Sequence, residues 1–263
     1  MSELSSLTPA NLSRQRIGPP AEKQNLSIIV PVLNEAALIR VFLQHLRHRV
    51  PDAEIILVDG GSVDGTAELA AGLCDRVLQS GPGRARQMNA GARGAHGDVL
   101  WFLHVDAMVP PGCAAQIQRA LDDPRAAAGY FRIRLPSSKF VYRLTDTFAH
   151  YAGLLLRIRC GDHGIFCRHQ VFDQVGGFPE TEIMEDVEFL RKIHGLGRVR
   201  AVRDRLTVSA RRYEKMGPAR LTAAYGLIAF LYSLGLPMSF LAHLYRKLCL
   251  SSEELKPVTK APE

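Results

Sequence analysis

At 263 residues, 47% of them hydrophobic and 22% charged, the chain has the length and composition for one large α/β domain with a full core, and neither bias marks a disordered or fibrous protein. Its five cysteines are odd in number and form no CxxC pair, which argues against a disulfide framework and fits structural thiols in a reducing compartment; Cys160 and Cys167 bracket His163 without the spacing of a zinc site. The net charge of +7 is concentrated between Arg191 and Arg220, where ten Lys/Arg face only Asp204 and Glu214, a local excess of +8 that points to nucleotide phosphates or an acidic membrane face.

Residues 1–25 are polar, carry Pro9, Pro19 and Pro20, and lack the apolar core of a signal peptide, so they read as a flexible lead-in and the expected location is cytoplasmic. LSIIVPVL (26–33) reads as a buried strand, with Asn34 capping a helix whose Leu38, Phe42 and Leu46 recur every four residues. EIILVDGGSVDGT (54–66) repeats the plan as strand, Gly-rich turn and a helix capped by Asp64. VLQS is a short strand, and GRARQMNAGARGA (83–95) a helix of small residues carrying Arg84, Arg86 and Arg93. Such alternation predicts a mostly parallel sheet with right-handed crossovers.

DVLWFLHVD (98–106) is the fourth strand, too short for a lone helix and apolar enough to be buried on both faces. It ends in His104 and Asp106, alternate positions that a strand points to one side, where ligands of open α/β sheets bind. AAAGYFRIRL (126–135) alternates like an exposed or edge strand, residues 139–158 are helical in period, and GDHGIFCRH (161–169) returns as turn plus strand. A helix and GGF turn follow, then MEDVEFLRKIHG, whose first turn carries Glu185 and Asp186, where a helix dipole keeps carboxylates ionised. Arg211 and Arg212 follow the apolar strand LTVSA, placed to clamp a diphosphate or simply to belong to the basic face. The basic block has one aromatic, Tyr213, and no nucleic-acid module, so no nucleic-acid partner is expected. The dinucleotide GxGxxG and Walker GxxxxGK[ST] patterns are both missing.

From Leu221 to Ala242 run 22 uncharged residues, enough to cross a bilayer, but Thr222, Tyr225, Tyr232, Ser233 and Ser239 dilute them and Pro237 breaks them after about four turns. A span, a helix pair docked on a membrane and a packed hairpin all fit this segment.

The ordered set VPVLNE (30–35), VDGGSVDGT (58–66), GRARQMNAG (83–91), FLHVDA (102–107), GGF (176–178) and MEDVEF (184–189) resembles the family 2 glycosyltransferases of GT-A fold, and among them a bacterial subgroup with FLHxD and SxRR segments. The resemblance implies a Rossmann-like, mostly parallel central sheet flanked by helices over residues 26–215, to which composition adds a C-terminal apolar helical segment (216–250) and a polar tail (251–263). It also implies inverting transfer from a nucleoside-diphosphate sugar, UDP-sugars foremost, with Mn2+ or Mg2+. The acceptor is unknown, with a lipid-linked or membrane-proximal one fitting the C-terminal segment, and the cytoplasmic face of the inner membrane is the corresponding location. By position, the resemblance puts Pro31, Glu35, Asp59 and Asp64 in the nucleoside pocket and Arg84, Arg86 and Asn89 at the nucleotide and sugar. It puts the metal at Asp106, with His104 standing where the family has the first Asp of its DxD. Asp186 takes the role of general base, with Glu185 beside it. SARRY (209–213) only distantly resembles the QxxRW segment of processive members.

Two other classes compete. A sugar nucleotidyltransferase would carry a Gly-rich, basic loop after the first strand, where PVLNEAA stands instead. A catalytically silent nucleotide-binding protein is prompted by His104.

Overall fold

A computed structural model describes residues 24–136 and 161–250. Seven strands form one sheet: β1 (Leu26–Val32), β2 (Glu54–Asp59), β3 (Arg76–Gln79), β4 (Val99–Phe102), β5 (Ala126–Arg134), β6 (Phe166–Arg168) and β7 (Arg198–Thr207), in spatial order β3-β2-β1-β4-β6-β5-β7. All pairings are parallel except those of β6 with β4 and β5. Sequence reasoning expects this mixed α/β plan.

Successive strand residues face opposite sides, and each side is covered by helices. Ile28, Val30, Ile55, Leu57 and Trp101 pack with α1 (Ala36–Arg49), α2 (Thr66–Ala70) and α4 (Cys113–Leu121). Ile29, Ile56, Val58, Leu100 and Phe102 pack with α3 (Arg84–Arg93), α5 (His169–Val175) and α6 (Glu185–His194). Helix α3 lies close on the sheet because Gly91 has no side chain: a Cβ there would stand 2.5 Å from Ile29 Cγ2 and 2.9 Å from Val58 Cγ2. Three helices close the described chain, α7 (Arg211–Met216), α8 (Pro218–Ser233) and α9 (Met238–Cys249). Their small core of Leu221, Ala224, Ile228 and Cys249 packs with Ile183, Met184 and Tyr245.

The structure corrects several local expectations. Residues 126–135 are not an edge strand, because β5 lies between β6 and β7; its alanines are fully buried, and a Cβ on Gly129 would collide with the Phe166 ring. The edge on this side of the sheet is β7, and four of the ten cations of the basic block lie on it: Arg198, Arg200, Arg203 and Arg205 are exposed, a charge pattern that discourages edge-to-edge pairing. The arginines also disguise its extent, since only LTVSA reads as apolar. Asn34 does not cap α1, whereas Asp64 Oδ1 does accept the Thr66 N–H at the start of α2, at 3.1 Å. Asn34 has φ 55 and accepts the Val63 N–H at 2.9 Å, while Asp64 Oδ2 accepts the α1 Ala36 N–H at 2.9 Å and the Thr66 hydroxyl accepts that of Glu35 at 2.8 Å. The β2–α2 turn therefore serves the neighbouring helix as well as its own, and Gly65 is the N-cap residue of α2. Residues 216–250 form a hairpin bent at residues 234–237; among the described residues no helix is long and apolar enough to cross a membrane. The predicted helix over 139–158, the lead-in apart from residues 24 and 25, and the polar tail lie outside the described residues.

Candidate active site

Strand order reverses between β1 and β4. The chain steps from β1 to β2 and β3, then α3 carries it back to β4 on the other side of β1. At such a switch point the loops diverge and leave a crevice beyond the carboxyl ends of the strands. The β1–β4 ladder stops at Ile29 and Phe102, with one more bond from the Leu103 N–H to the Ile29 carbonyl at 3.0 Å. Pro31 is accommodated because β4 has ended beside it, so its missing N–H breaks no ladder on that side. Beyond it the buried Gln87 holds β1 and β2 together by donating to the Val32 and Val58 carbonyls at 2.7 and 2.9 Å.

His104 and Asp106 lie past the end of β4, on a turn closed by the Ala107 N–H to the His104 carbonyl at 3.1 Å. The expected alternation nevertheless persists there: Leu103, Val105 and Ala107 are buried, His104 and Asp106 half-buried. Burial and the Arg84 charge push the His104 imidazole down to about 4, with Asp162 opposing them, so the ring is neutral at pH 7 and keeps a lone pair.

Asp162 is the residue that sequence reasoning missed. It sits in a one-turn helix, Gly161–His163, just before β6. Because β6 runs antiparallel to β4 with Trp101 opposite Phe166, the turn that precedes β6 returns to the carboxyl end of β4, where the Asp162 charge acts on both His104 and Asp106. The turn is anchored by the Trp101 indole, which donates to the Gly164 carbonyl at 3.0 Å, and Gly164 has φ 55. Asp162 remains open to solvent; desolvation works against its charge, but His104, Arg84, His163 and Arg212 outweigh it and hold its carboxyl below the usual range. Asp106 is pushed up, first by burial and then by Asp162, with Arg211 and Arg84 opposing.

Around these carboxylates stand the arginines. Desolvation disfavours the Arg84 charge, but Asp162, Glu185, Tyr245 and Asp186 more than compensate. Arg211 lies 3.9 Å from Glu35 at the end of β1, and Arg212 donates to the Tyr245 hydroxyl at 3.1 Å. Burial raises Glu35 above the usual carboxylate range, with Arg211 opposing. Glu185 and Asp186 open α6 as expected and are both buried, Asp186 at 6% exposure. Met184 before them has φ 63, and with Asn34 is one of two non-glycine residues in the left-handed region among those described.

Other sequence candidates have local partners. Asp59, buried at the end of β2, accepts the N–H groups of Gly61 and Ser62 and the Ser62 hydroxyl. Asn89 is engaged at both ends of its amide by the Phe178 backbone, at 2.8 Å each, and Arg86 pairs with Glu180 at 3.0 Å. Of the three polar residues picked from α3, Arg84 is the one set among the acidic groups.

Comparison with known proteins agrees with this architecture. A family model described as glycosyl transferase family 2 matches residues 27–178. An uncharacterized protein of Mycobacterium tuberculosis is 30% identical over 148 residues, 54% of this chain; the chain spans about half, 46%, of that relative's length. A mannosyltransferase from Pyrobaculum calidifontis, solved with GDP-Man and Mn2+, superposes with a TM-score of 0.63 at 20% identity, covering 86% of this chain and 71% of that one. Glucosyl-3-phosphoglycerate synthase from Mycobacterium tuberculosis, solved with Mn2+, UDP and glucosyl-3-phosphoglycerate, superposes at 0.55 and 17% identity, covering 90% and 88%.

Proposed function

Because the chain belongs to glycosyl transferase family 2, we propose that it transfers a sugar from a nucleoside-diphosphate donor to an acceptor hydroxyl with inversion. What carries the reading is the convergence of Arg84, Arg211 and Arg212 with Asp106, Asp162 and the neutral His104 at the switch point between β1 and β4. The solved relatives with GDP-Man and UDP support such a donor.

The donor set fits a divalent cation. Burial first and then the like charge of Asp162 raise the Asp106 carboxyl, and a cation held by the two carboxylates would offset both. Among the described residues no three His, Cys, Asp or Glu side chains form a cage. That suits an ion completed by diphosphate oxygens and water, as Mg2+ commonly is. Bound there, Mn2+ or Mg2+ would offset the charge that grows on the leaving diphosphate.

The chain's own residues do the rest. Arg84, Arg211 and Arg212 attract and orient the diphosphate, while Pro31, Glu35 and the Asp59 turn line the nucleoside side. Asp186, held by the start of α6 near Arg84, takes the acceptor proton as the new glycosidic bond forms; a positioned base contributes about 10² to 10⁴ in rate.

Thermal shift with UDP-, GDP- and dTDP-sugars, with and without Mn2+, tests the donor class. A donor at about 100 times its dissociation constant should stabilise by about 2.7 kcal/mol. No shift with any of them, with or without metal, overturns the reading.

A further inference from the structure

The hairpin of α8 and α9 carries an apolar surface at its tip. Leu221, Ala224 and Ile228 form one stripe of α8 and are buried. Leu227, Phe230 and Leu234, spaced three and four apart on another stripe, are 44%, 54% and 60% exposed. Phe240, three residues past the bend at Pro237, is 49% exposed. A helix apolar on all sides belongs in an apolar medium on all sides, and contiguous exposed apolar groups mark an interaction surface.

Charge distinguishes the occupant. No charged residue falls between Leu221 and Ala242, whereas Arg220, His243, Arg246 and Lys247 are exposed at the hairpin's base. Arg246 pairs with Glu182 at 2.8 Å; Arg220 and Lys247 have no ion pair among the described residues. An apolar tip above a cationic collar matches the layering of a bilayer surface, hydrocarbon under anionic headgroups. A second copy packed side by side and parallel on the same face would bring like-charged collars together.

We propose that the exposed stripe of this hairpin's tip, Leu227, Phe230, Leu234 and Phe240, inserts into the interfacial zone of a bilayer containing anionic lipid, with Arg220 and Lys247 at headgroup level, while Tyr232 on the other side of α8 stays bonded to Glu188 of α6. The site would then lie close to the lipid surface. Tyr245, which holds Arg212, is only about 8 Å along α9 from Phe240 at 1.5 Å per residue.

The test is flotation of the full chain with vesicles of phosphatidylcholine alone and of phosphatidylcholine with phosphatidylglycerol, at low and high salt and without sugar nucleotide. Failure here therefore leaves the transfer reaction untouched. The expected result is flotation with the anionic vesicles, weakened by salt and by Arg220→Glu with Lys247→Glu. Phe230→Ser with Leu234→Ser should lower partitioning by about tenfold per side chain removed, the weight of one buried Phe or Leu. These side chains are exposed, so the melting temperature of each variant should match the parent's. Absence of binding to either vesicle overturns the proposal. So does equal binding by the serine variant, or a dimer that this variant abolishes while vesicle binding is nil.

Discussion

Arg212 donates to the hydroxyl of Tyr245 at 3.1 Å, and this bond joins the basic helix of the site to the last helix of the hairpin. Tyr245 stacks on Tyr225, with ring centroids 6.4 Å apart, so the guanidinium is held from a packed aromatic base. Tyr245→Phe keeps the ring and removes the acceptor. A hydrogen bond to a charged group contributes about 1.5–3 kcal/mol, part of which orients Arg212, so UDP or GDP binding by calorimetry should weaken about tenfold. Unchanged affinity would put Arg212 outside the donor site.

Asp106 and Asp162 share one local field, and both should matter to the cation. Asp106→Ala should abolish most of the Mn2+ dependence of nucleotide binding, Asp162→Asn should weaken it, and His104→Ala should be milder. Calorimetry with UDP or GDP, with and without Mn2+, separates the three. Full Mn2+ dependence in the Asp106 variant would remove the metal from this turn.

A stability prediction concerns Glu54 at the start of β2. Burial works to raise its carboxyl, but the His96 N–H at 2.9 Å, the Ser27 hydroxyl and the His96 ring at 2.8 Å together hold it below the usual range. A depressed folded-state value means that this stabilisation is complete above the unfolded value of about 4.3 and is lost as pH falls through the lower folded value. Glu54→Gln should therefore cost about 1.5–3 kcal/mol in denaturant unfolding at pH 7, with the gap to the parent closing as pH falls below about 4. A gap independent of pH would mean that the charge of Glu54 contributes nothing.

The parts of the fold written in local periodicity were legible: the first four strands, the helices between them, the ED pair at the start of α6, and the His104–Asp106 alternation. What depends on pairing across the chain was not. Asp162 is an ordinary turn residue until β6 is laid antiparallel on β4, and only then does it come to the end of β4 where its charge acts on His104 and Asp106. Asn34 looks like a cap of α1 and Asp64 like a cap of α2 alone, yet the two loops are close enough that Asn34 holds Val63 and Asp64 serves both helices. The arginines of β7 read as a binding block because nothing local marks a strand as the edge of a sheet.

The central claim, that Asp186 is the base of a sugar transfer, is tested most directly by Asp186→Asn. The substitution preserves volume and most hydrogen bonding while removing the proton acceptor. Donor and Mn2+ affinity should stay within a few-fold, while transfer, or slow donor hydrolysis where no acceptor is found, should fall by about 10² or more. Turnover at the parent's rate would pass the role to Glu185 or to no carboxylate of α6, and loss of donor binding altogether would mean that Asp186 faces the diphosphate instead.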